Sequence, residues 1–517
     1  MTTIRKIFLS PVHRTAGDSS QISADIEQVN AARLVVVITF LLIFSMAART
    51  PLDTDMWWHL RSGEEMVRTG RLLLNDIFSF TRFGAHWTNP YWLTDTGMAL
   101  LFRWQGYLGL GAAVALLASV SMLLVSLQCE GPVFLKSAAL LFGSVVASVV
   151  WSPRPQIISL VWMALVGYLL YLYKWRGRDV LWGLPLVFIL WANMHSGYPL
   201  GIILIAAMLA GELLNHILSI QAGPVLAWRQ IVRLGLWGIA CGLAVLINPN
   251  GLELWRLPFL TVDMQVLQQF IPEWASPDFH QLIEQMMLWL LLAVFAAVSL
   301  SGQRMDGSDL VTLLIFAFMA MLARRNYGPF ALVAVPVLTR YASAAWHVWR
   351  ERSPWIERLH RKAAPRATGS RTLKTVINLS LAALLGLVAF GKLYVVTQPS
   401  LVGHYVMDGY PSRAAAWLAD HQEGGRMLNE YNWGGYLQWA LPGYPTFVDG
   451  RTDLFGDEVI GDWIEVVQAG PGWADVLSQY QVDLVMLEPG RPLLSKLPQA
   501  GWKLIYQDTQ AVIYGKQ

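Results

Sequence analysis

Ten or eleven apolar runs crowd the first 397 residues, and they leave few folds open to the chain. A hydrocarbon core about 30 Å thick takes about 20 apolar residues per helix, and backbone exposed to lipid must satisfy its own hydrogen bonds. The runs lie near residues 32–48, 107–127, 133–150, 157–173, 180–194, 197–217, 233–248, 285–301, 309–323, 327–344 and 375–397, the fifth being the shortest. Of the 517 residues, 55% are hydrophobic and only 14% charged, against roughly 25% charged in an average soluble domain. That excludes an ordinary soluble enzyme and predicts an α-helical polytopic membrane protein with about 11 transmembrane helices. The net charge of +3, from 38 basic and 35 acidic residues, offers no nucleic-acid-binding surface. Cys129 and Cys241 both fall in apolar stretches, which argues against a disulfide framework or a cysteine zinc site.

Lysine and arginine in short loops mark the cytoplasmic side. Lys174, Arg176 and Arg178 follow the fourth run, Arg229 precedes the seventh, and Trp346 to Lys374 is strongly basic. These loops are an even number of spans apart, so a single topology satisfies all three. It predicts a multi-pass protein of the inner (cytoplasmic) membrane, with a cytoplasmic N-terminal tail at 1–31 and a transmembrane domain at 32–397. A large first external loop at 49–95 and an extracytoplasmic domain at 398–517 complete it. The first run lacks a small-residue cleavage site behind it, so it reads as a retained anchor. Beyond residue 398, helical patterns alternate with short β-rich runs such as Asp483 to Leu487 and Ala511 to Tyr514, the signature of an α/β domain.

Polar residues gather on the predicted outer face. Asp53-Thr54-Asp55 stands just outside the first run, ahead of Met56-Trp57-Trp58-His59-Leu60-Arg61, whose spacing predicts an amphipathic helix lying on the membrane surface. Asp55 suits a helix N-cap, with Trp57 and Trp58 as interfacial anchors. Two carboxylates one residue apart also suit a bound divalent cation, Mg²⁺ or Mn²⁺, or a base that takes a proton from an attacking hydroxyl. External turns add Arg154, His195, Asn248, and the pair Arg324 and Arg325. Cations on the outside run against the positive-inside bias, and guanidinium groups pair well with phosphate.

With these motifs on the outer face, the sequence resembles the GT-C superfamily of integral membrane glycosyltransferases, which take a sugar from a polyprenyl-phosphate carrier. The resemblance is carried by Asp53-Thr54-Asp55 in the first external loop, then Asn75 to Thr81 leading to Trp87 and Trp92. It extends to the turn Trp191 to Gly197 and to the tail motifs Asn429 to Leu437 and Val448 to Asp453. The tail is faintly similar to the Trp-Trp-Asp-Tyr-Gly motif of oligosaccharyltransferase catalytic subunits. Here Asn432-Trp433-Gly434-Gly435 lacks the Trp-Asp pair that reads an acceptor sequon, which speaks against peptide N-glycosylation.

The resemblance implies a GT-C-like fold and an inverting sugar transfer from a polyprenyl-phosphate donor, at the outer face of the membrane, to a lipid, glycan or protein acceptor. Asp53 or Asp55 would be the base or hold the metal. Arg154, His195, Arg324 and Arg325 would bind the donor phosphate. Trp57, Trp58, His59, Arg61, Trp87, Trp433, Asp449 and Arg451 would bind sugar or acceptor. The alternative is a non-enzymatic transporter, or a scaffold of an envelope polysaccharide assembly. It draws on Glu212 and His216, four residues apart on one helical face in the sixth run.

Overall fold

The computed structural model describes residues 19–264, 266, 270–352, 371–421 and 423–516. Each of the eleven apolar runs coincides with a helix. In chain order the first part comprises α1 (Ser19–Ala47), α2 (Met56–Thr69), α3 (Trp92–Ser126), α4 (Val133–Ala147), α5 (Gln156–Arg176) and α6 (Leu184–Ala192). There follow α7 (Pro199–Ile217), α8 (Trp228–Ala244), α9 (Glu253–Asp263), α10 (Leu282–Ser301), α11 (Gly307–Leu322), α12 (Tyr327–Arg352) and α13 (Arg371–Val396). Among the described residues six helices are long and apolar enough to cross a membrane, and three shorter ones are also apolar. The chain is a multi-pass membrane protein with a small C-terminal sheet. Most of the basic segment between Trp346 and Lys374 lies outside the described residues, as does most of the N-terminal tail.

Helix α3 begins fifteen residues before its apolar run because a backbone break at Gly106, with φ 56° and ψ −141°, divides it. The portion before the break packs on α2, and the portion after it is the span. Helix α12 is the hub of the bundle, lying against α4, α5, α10 and α11, with Tyr327, Phe330, Ala331, Ala334 and Val335 fully buried. Away from the first loop, Lys174 of α5 is buried against Glu212 of α7 and against Asp306 at 2.6 Å, which caps α11. Glu212 also accepts the Leu226 N–H at 2.9 Å, and His216 Nε2 meets the Leu226 carbonyl at 2.8 Å. These groups satisfy one another.

After α13 come α14 (Pro399–Gly409) and α15 (Ser412–His421), strand β1 (Met427–Asn429), then α16 (Gly434–Ala440), α17 (Thr452–Val467) and α18 (Trp473–Gln479). Strands β2 (Leu484–Leu487), β3 (Trp502–Gln507) and β4 (Val512–Lys516) complete a four-stranded sheet of order β1-β2-β4-β3. The β1–β2 pair is parallel and the β2–β4 and β3–β4 pairs are antiparallel. Alternate residues point to opposite faces of a strand, and both faces here are covered. Met427, Leu484 and Met486 face a cluster with Trp57, Leu418 and Leu437. Leu428, Val485 and Leu487 face Val459, Ile460 and Trp463 of α17.

The first of those clusters overturns the surface-lying helix expected over Met56 onward. Met56, Trp57 and Leu60 of α2 are at most 1% exposed and belong to the core beneath the sheet. The apolar stripe is real, and it faces protein instead of lipid. The rest of the first loop is stitched to the same domain. Phe80 N–H donates to the Thr446 carbonyl at 3.1 Å, Thr446 N–H returns to Phe78 at 3.0 Å, and the Thr81 hydroxyl donates to Phe447 at 2.6 Å. At the centre Arg451, 1% exposed, pairs with Asp76 at 2.7 Å and Asp449 at 2.6 Å, both fully buried. Its guanidinium lies 5.0 Å from the Trp87 ring centre and 5.3 Å from that of Phe78.

Removing one partner of a buried ion pair leaves an uncompensated charge and costs about 3–5 kcal/mol. Arg451→Met therefore lowers the thermal unfolding midpoint by several degrees, and adding Asp76→Asn and Asp449→Asn recovers part of the loss. A midpoint unchanged in Arg451→Met would mean that the seam does not hold the domain in place.

Candidate functional site

The turn Trp151-Ser152-Pro153-Arg154-Pro155 sets the position of the central cation. Proline on each side restricts its backbone, and Arg154 N–H closes a tight turn on the Ser152 carbonyl at 2.8 Å. The side chain then reaches back to the loop after α1. Its Nε lies 3.2 Å from Asp53 Oδ2, its Nη1 2.8 Å from Asp55 Oδ2, and its Nη2 contacts Glu273 Oε1. Asp55 directly precedes α2, yet its carboxylate makes no capping bond, and its Oδ2 is turned to Arg154. Asp53 Oδ1 accepts the Asp55 N–H at 2.9 Å, so Asp53 braces its neighbour from behind.

These groups open onto a cavity of about 600 Å³, of the size that binds small molecules. One side is formed by ends of membrane helices and the loops between them, with Asp55, Trp58, His59, Tyr91, Arg154, His195 and Arg325. The other is formed by the C-terminal domain, with Tyr431, Asn432, Thr452, Asp453 and Trp463. The domain closes in because it carries glycine where it meets the loop. A Cβ on Gly450 would collide with Asp55 Oδ1, and one on Gly435 would lie only 3.0 Å from the Thr54 carbonyl; within the domain, one on Gly434 would collide with the Val448 carbonyl. The glycines of the Asn432-Trp433-Gly434-Gly435 and Asp449-Gly450 motifs thus act by close approach.

Two histidines are fixed in contrasting ways. His195 Nδ1 accepts the Gly197 N–H at 2.8 Å and lies 2.7 Å from the Ser159 hydroxyl, which itself receives Trp191 Nε1–H at 2.7 Å. Only a lone pair can take a backbone N–H, so the ring proton sits on Nε2 and His195 acts as a donor. Burial, then Arg325 and Arg154, push its pKa down to about 3, which keeps the imidazole neutral. His59 Nδ1 lies 2.7 Å from Asp95 Oδ1. Burial, with Arg154 and His195 near, likewise lowers the His59 pKa far below the usual value.

Burial pushes the Asp55 carboxyl up to about 6; Arg154 opposes the shift, and Asp53 and Glu273 add to it. The Asp453 carboxyl is also pushed up to about 6, again chiefly by burial. Arg154 is held protonated by its three carboxylates. Arg325 forms no ion pair among the described residues, and its guanidinium lies 4.4 Å from the Trp274 ring centre.

Of the residues singled out in the sequence, Asp55, Trp58, His59, Arg154, His195 and Arg325 meet in the cavity and Asp53 stands directly behind it. Arg324 turns away to Glu284 at 3.1 Å. Trp57 packs on Tyr410, Tyr436 and Trp439, Trp433 is 2% exposed in the same core, and Trp87, Asp449 and Arg451 form the buried seam. Arg61 lies over Phe78 and near Glu64. Among the cavity residues that sequence reasoning gave no role are Glu273, Tyr91 and Asp453. Glu273 could have been noticed as the acid of Pro272-Glu273-Trp274 in the loop facing Arg154, and Asp453 as the end of the Asp449 to Asp453 motif.

Arg154 already occupies one oxygen of Asp53 and one of Asp55, and the Asp55 N–H occupies the other oxygen of Asp53. Among the described residues no group of three or more His, Cys, Asp or Glu side chains is placed to hold a metal ion. As arranged, the donor set does not fit Mg²⁺ or Mn²⁺.

No family model matches the chain, and no curated protein matches it either. Among solved structures it is similar to ArnT from Cupriavidus metallidurans bound to undecaprenyl phosphate, with 13% identity and a TM-score of 0.47, over 96% of this chain and 98% of that one. It is also similar to the arabinofuranosyltransferase AftD from Mycobacteria, with 15% identity and a TM-score of 0.45, over 93% of this chain but only 39% of the AftD chain.

The close approach at Gly450 is directly testable. Gly450→Ala forces the domain and Asp55 apart, at about 1–3 kcal/mol for overpacking, and lowers the thermal midpoint. Gly443→Ala, where an added Cβ meets nothing within 4 Å, leaves it unchanged. Equal midpoints for the two variants would contradict this packing.

Proposed function

We propose that the protein transfers a sugar from a polyprenyl-phosphate carrier to an acceptor hydroxyl, with inversion, at the membrane face that carries the first loop. The observation that supports this best is the pairing, in one cavity at the ends of membrane helices, of an ionisable carboxylate with an unpaired guanidinium. Asp55 takes the proton of the acceptor hydroxyl as its oxygen attacks the anomeric carbon. The bond from that carbon to the phosphate oxygen breaks, and the electron pair leaves on the lipid phosphate. Arg325 and the Nε2–H of His195 meet the charge that develops there, and such preplaced donors usually supply the largest catalytic term.

Arg154 takes a different part from the one first expected. With Asp53, Asp55 and Glu273 around it, its surroundings are net negative and repel a phosphate. It orients Asp55 and opposes the rise in its pKa. Trp58 and Trp463 line the same space, where a sugar ring would meet them. The acceptor is a molecule with a free hydroxyl, whether lipid, glycan or protein.

Transfer measured with a polyprenyl-phosphate sugar in proteoliposomes falls about a hundred- to ten-thousand-fold in Asp55→Asn, the usual worth of a general base. Because the base acts ionised and its carboxyl titrates at about 6, the rate is level above that pH and drops tenfold per unit below it. Glu273→Gln removes a negative neighbour, favours the ionised form and moves this acid limb to lower pH. A limb that stays put in Glu273→Gln, or full activity in Asp55→Asn, would remove Asp55 from the base role.

Arg325→Ala lowers turnover by about a hundred- to a thousand-fold, while Arg324→Ala, which only unties Glu284, changes it little. Equal effects of the two would place the phosphate elsewhere.

A further inference from the structure

Asp53, Asp55 and Glu273 come from two loops far apart in sequence, and each gives one oxygen to a different nitrogen of the same guanidinium. The Ser152 hydroxyl, 3.2 Å from Nε, and Gln156 Oε1, 3.2 Å from Nη2, complete the shell around Arg154, whose side chain is 12% exposed. Three carboxylates converging at a protein surface cleft repel one another unless a cation gathers them. Hard divalent cations are gathered by oxygen ligands of this kind. Here the gathering cation is covalently part of the chain.

We infer that Arg154 is a built-in counter-cation, standing where a divalent metal would otherwise draw Asp53, Asp55 and Glu273 together, so that the carboxylate site works without added metal. The guanidinium engages all three carboxylates, one through each of its nitrogens. It differs from a metal in two ways that matter at this site. It cannot dissociate, so the assembly is independent of metal concentration. It also brings one positive charge instead of two, so the cluster stays net negative and Asp55 keeps more of its basicity than a metal ligand would. The consequence for catalysis rests on the transfer reading above; the exclusion of metal by the arginine does not.

The test uses full-length protein in nanodiscs and Mn²⁺ as the probe, followed by electron paramagnetic resonance of the free ion and by thermal midpoints in EDTA or Mn²⁺. Wild type and Arg154→Lys, which retains a cation among the acids, leave Mn²⁺ free and show the same midpoint in both media. Arg154→Ala has a lowered midpoint in EDTA, takes up Mn²⁺ and recovers stability with it, and adding Glu273→Gln abolishes that uptake. The inference is overturned if wild type binds Mn²⁺ in a manner that Asp53→Asn removes. It is equally overturned if Arg154→Ala, still monodisperse and helical, gains no Mn²⁺ binding. Should Mn²⁺ behave as expected while no sugar transfer is found in EDTA or in Mn²⁺, the transfer reading fails and the role of Arg154 stands.

Discussion

The buried ion pairs of Arg451 hold together two stretches of chain that are almost four hundred residues apart. Asp76 belongs to the first loop and Asp449 to the C-terminal domain, and both charges are removed from water. Neither can be left without the cation. Once this clamp closes, Phe78 to Thr81 lie along Thr446 and Phe447 in strand-like register, and α2 is drawn under the sheet. The position of Asp55 follows, because it immediately precedes α2 and is pressed by Gly450, the residue next to Arg451. The site is thus assembled by the same contacts that attach the domain.

That coupling explains which sequence features were legible. The apolar runs foretold their helices because lipid imposes a length and a composition that few other environments require. The acids after α1 and the arginines in outward turns stood out because charge is scarce in this chain and each one needs a reason. Pairing was not legible. Asp449 and Arg451 carry the same kind of signal as Asp55 and Arg154, yet one pair is sealed in the seam and the other faces a cavity. Arg324 and Arg325 are adjacent, and a single step along the chain sends one to Glu284 and the other over Trp274. Which partner a charge finds depends on loops that meet only in three dimensions.

The aromatic residues show the same limit from the apolar side. Trp57 and Trp58 both suit a membrane interface by composition. Trp57 instead fills the core beneath the sheet among Tyr410, Tyr436 and Trp439. Trp58, one position on and so rotated about 100° around the helix, lines the cavity and meets Trp87 and Tyr91 edge-on. The amphipathic pattern correctly marked a helix with an apolar stripe. It could not say whether that stripe would meet lipid or a folded domain arriving from the far end of the chain.

The charges around the cavity are unevenly shared: Arg154 is ringed by three carboxylates, while Arg325, buried over Trp274, has Glu273 nearby without an ion pair to it among the described residues. Near Asp53, Asp55 and Glu273 three carboxylates face the single charge of Arg154, and the Asp55 carboxyl is raised chiefly by burial, with Arg154 opposing the shift. Near Arg325 and the Nε2–H of His195 the potential is positive, and no carboxylate is ion-paired to Arg325 among the described residues. On the transfer reading proposed above, a ligand with an anionic and a neutral hydroxylated end would enter with its anion towards Arg325 and its hydroxyl towards Asp55. In a low-dielectric site such alignment is worth far more than in water, and it requires no rearrangement of the protein at the moment of reaction. On the same reading, the reverse orientation would set the anion against the three carboxylates and leave the Arg325 guanidinium unanswered.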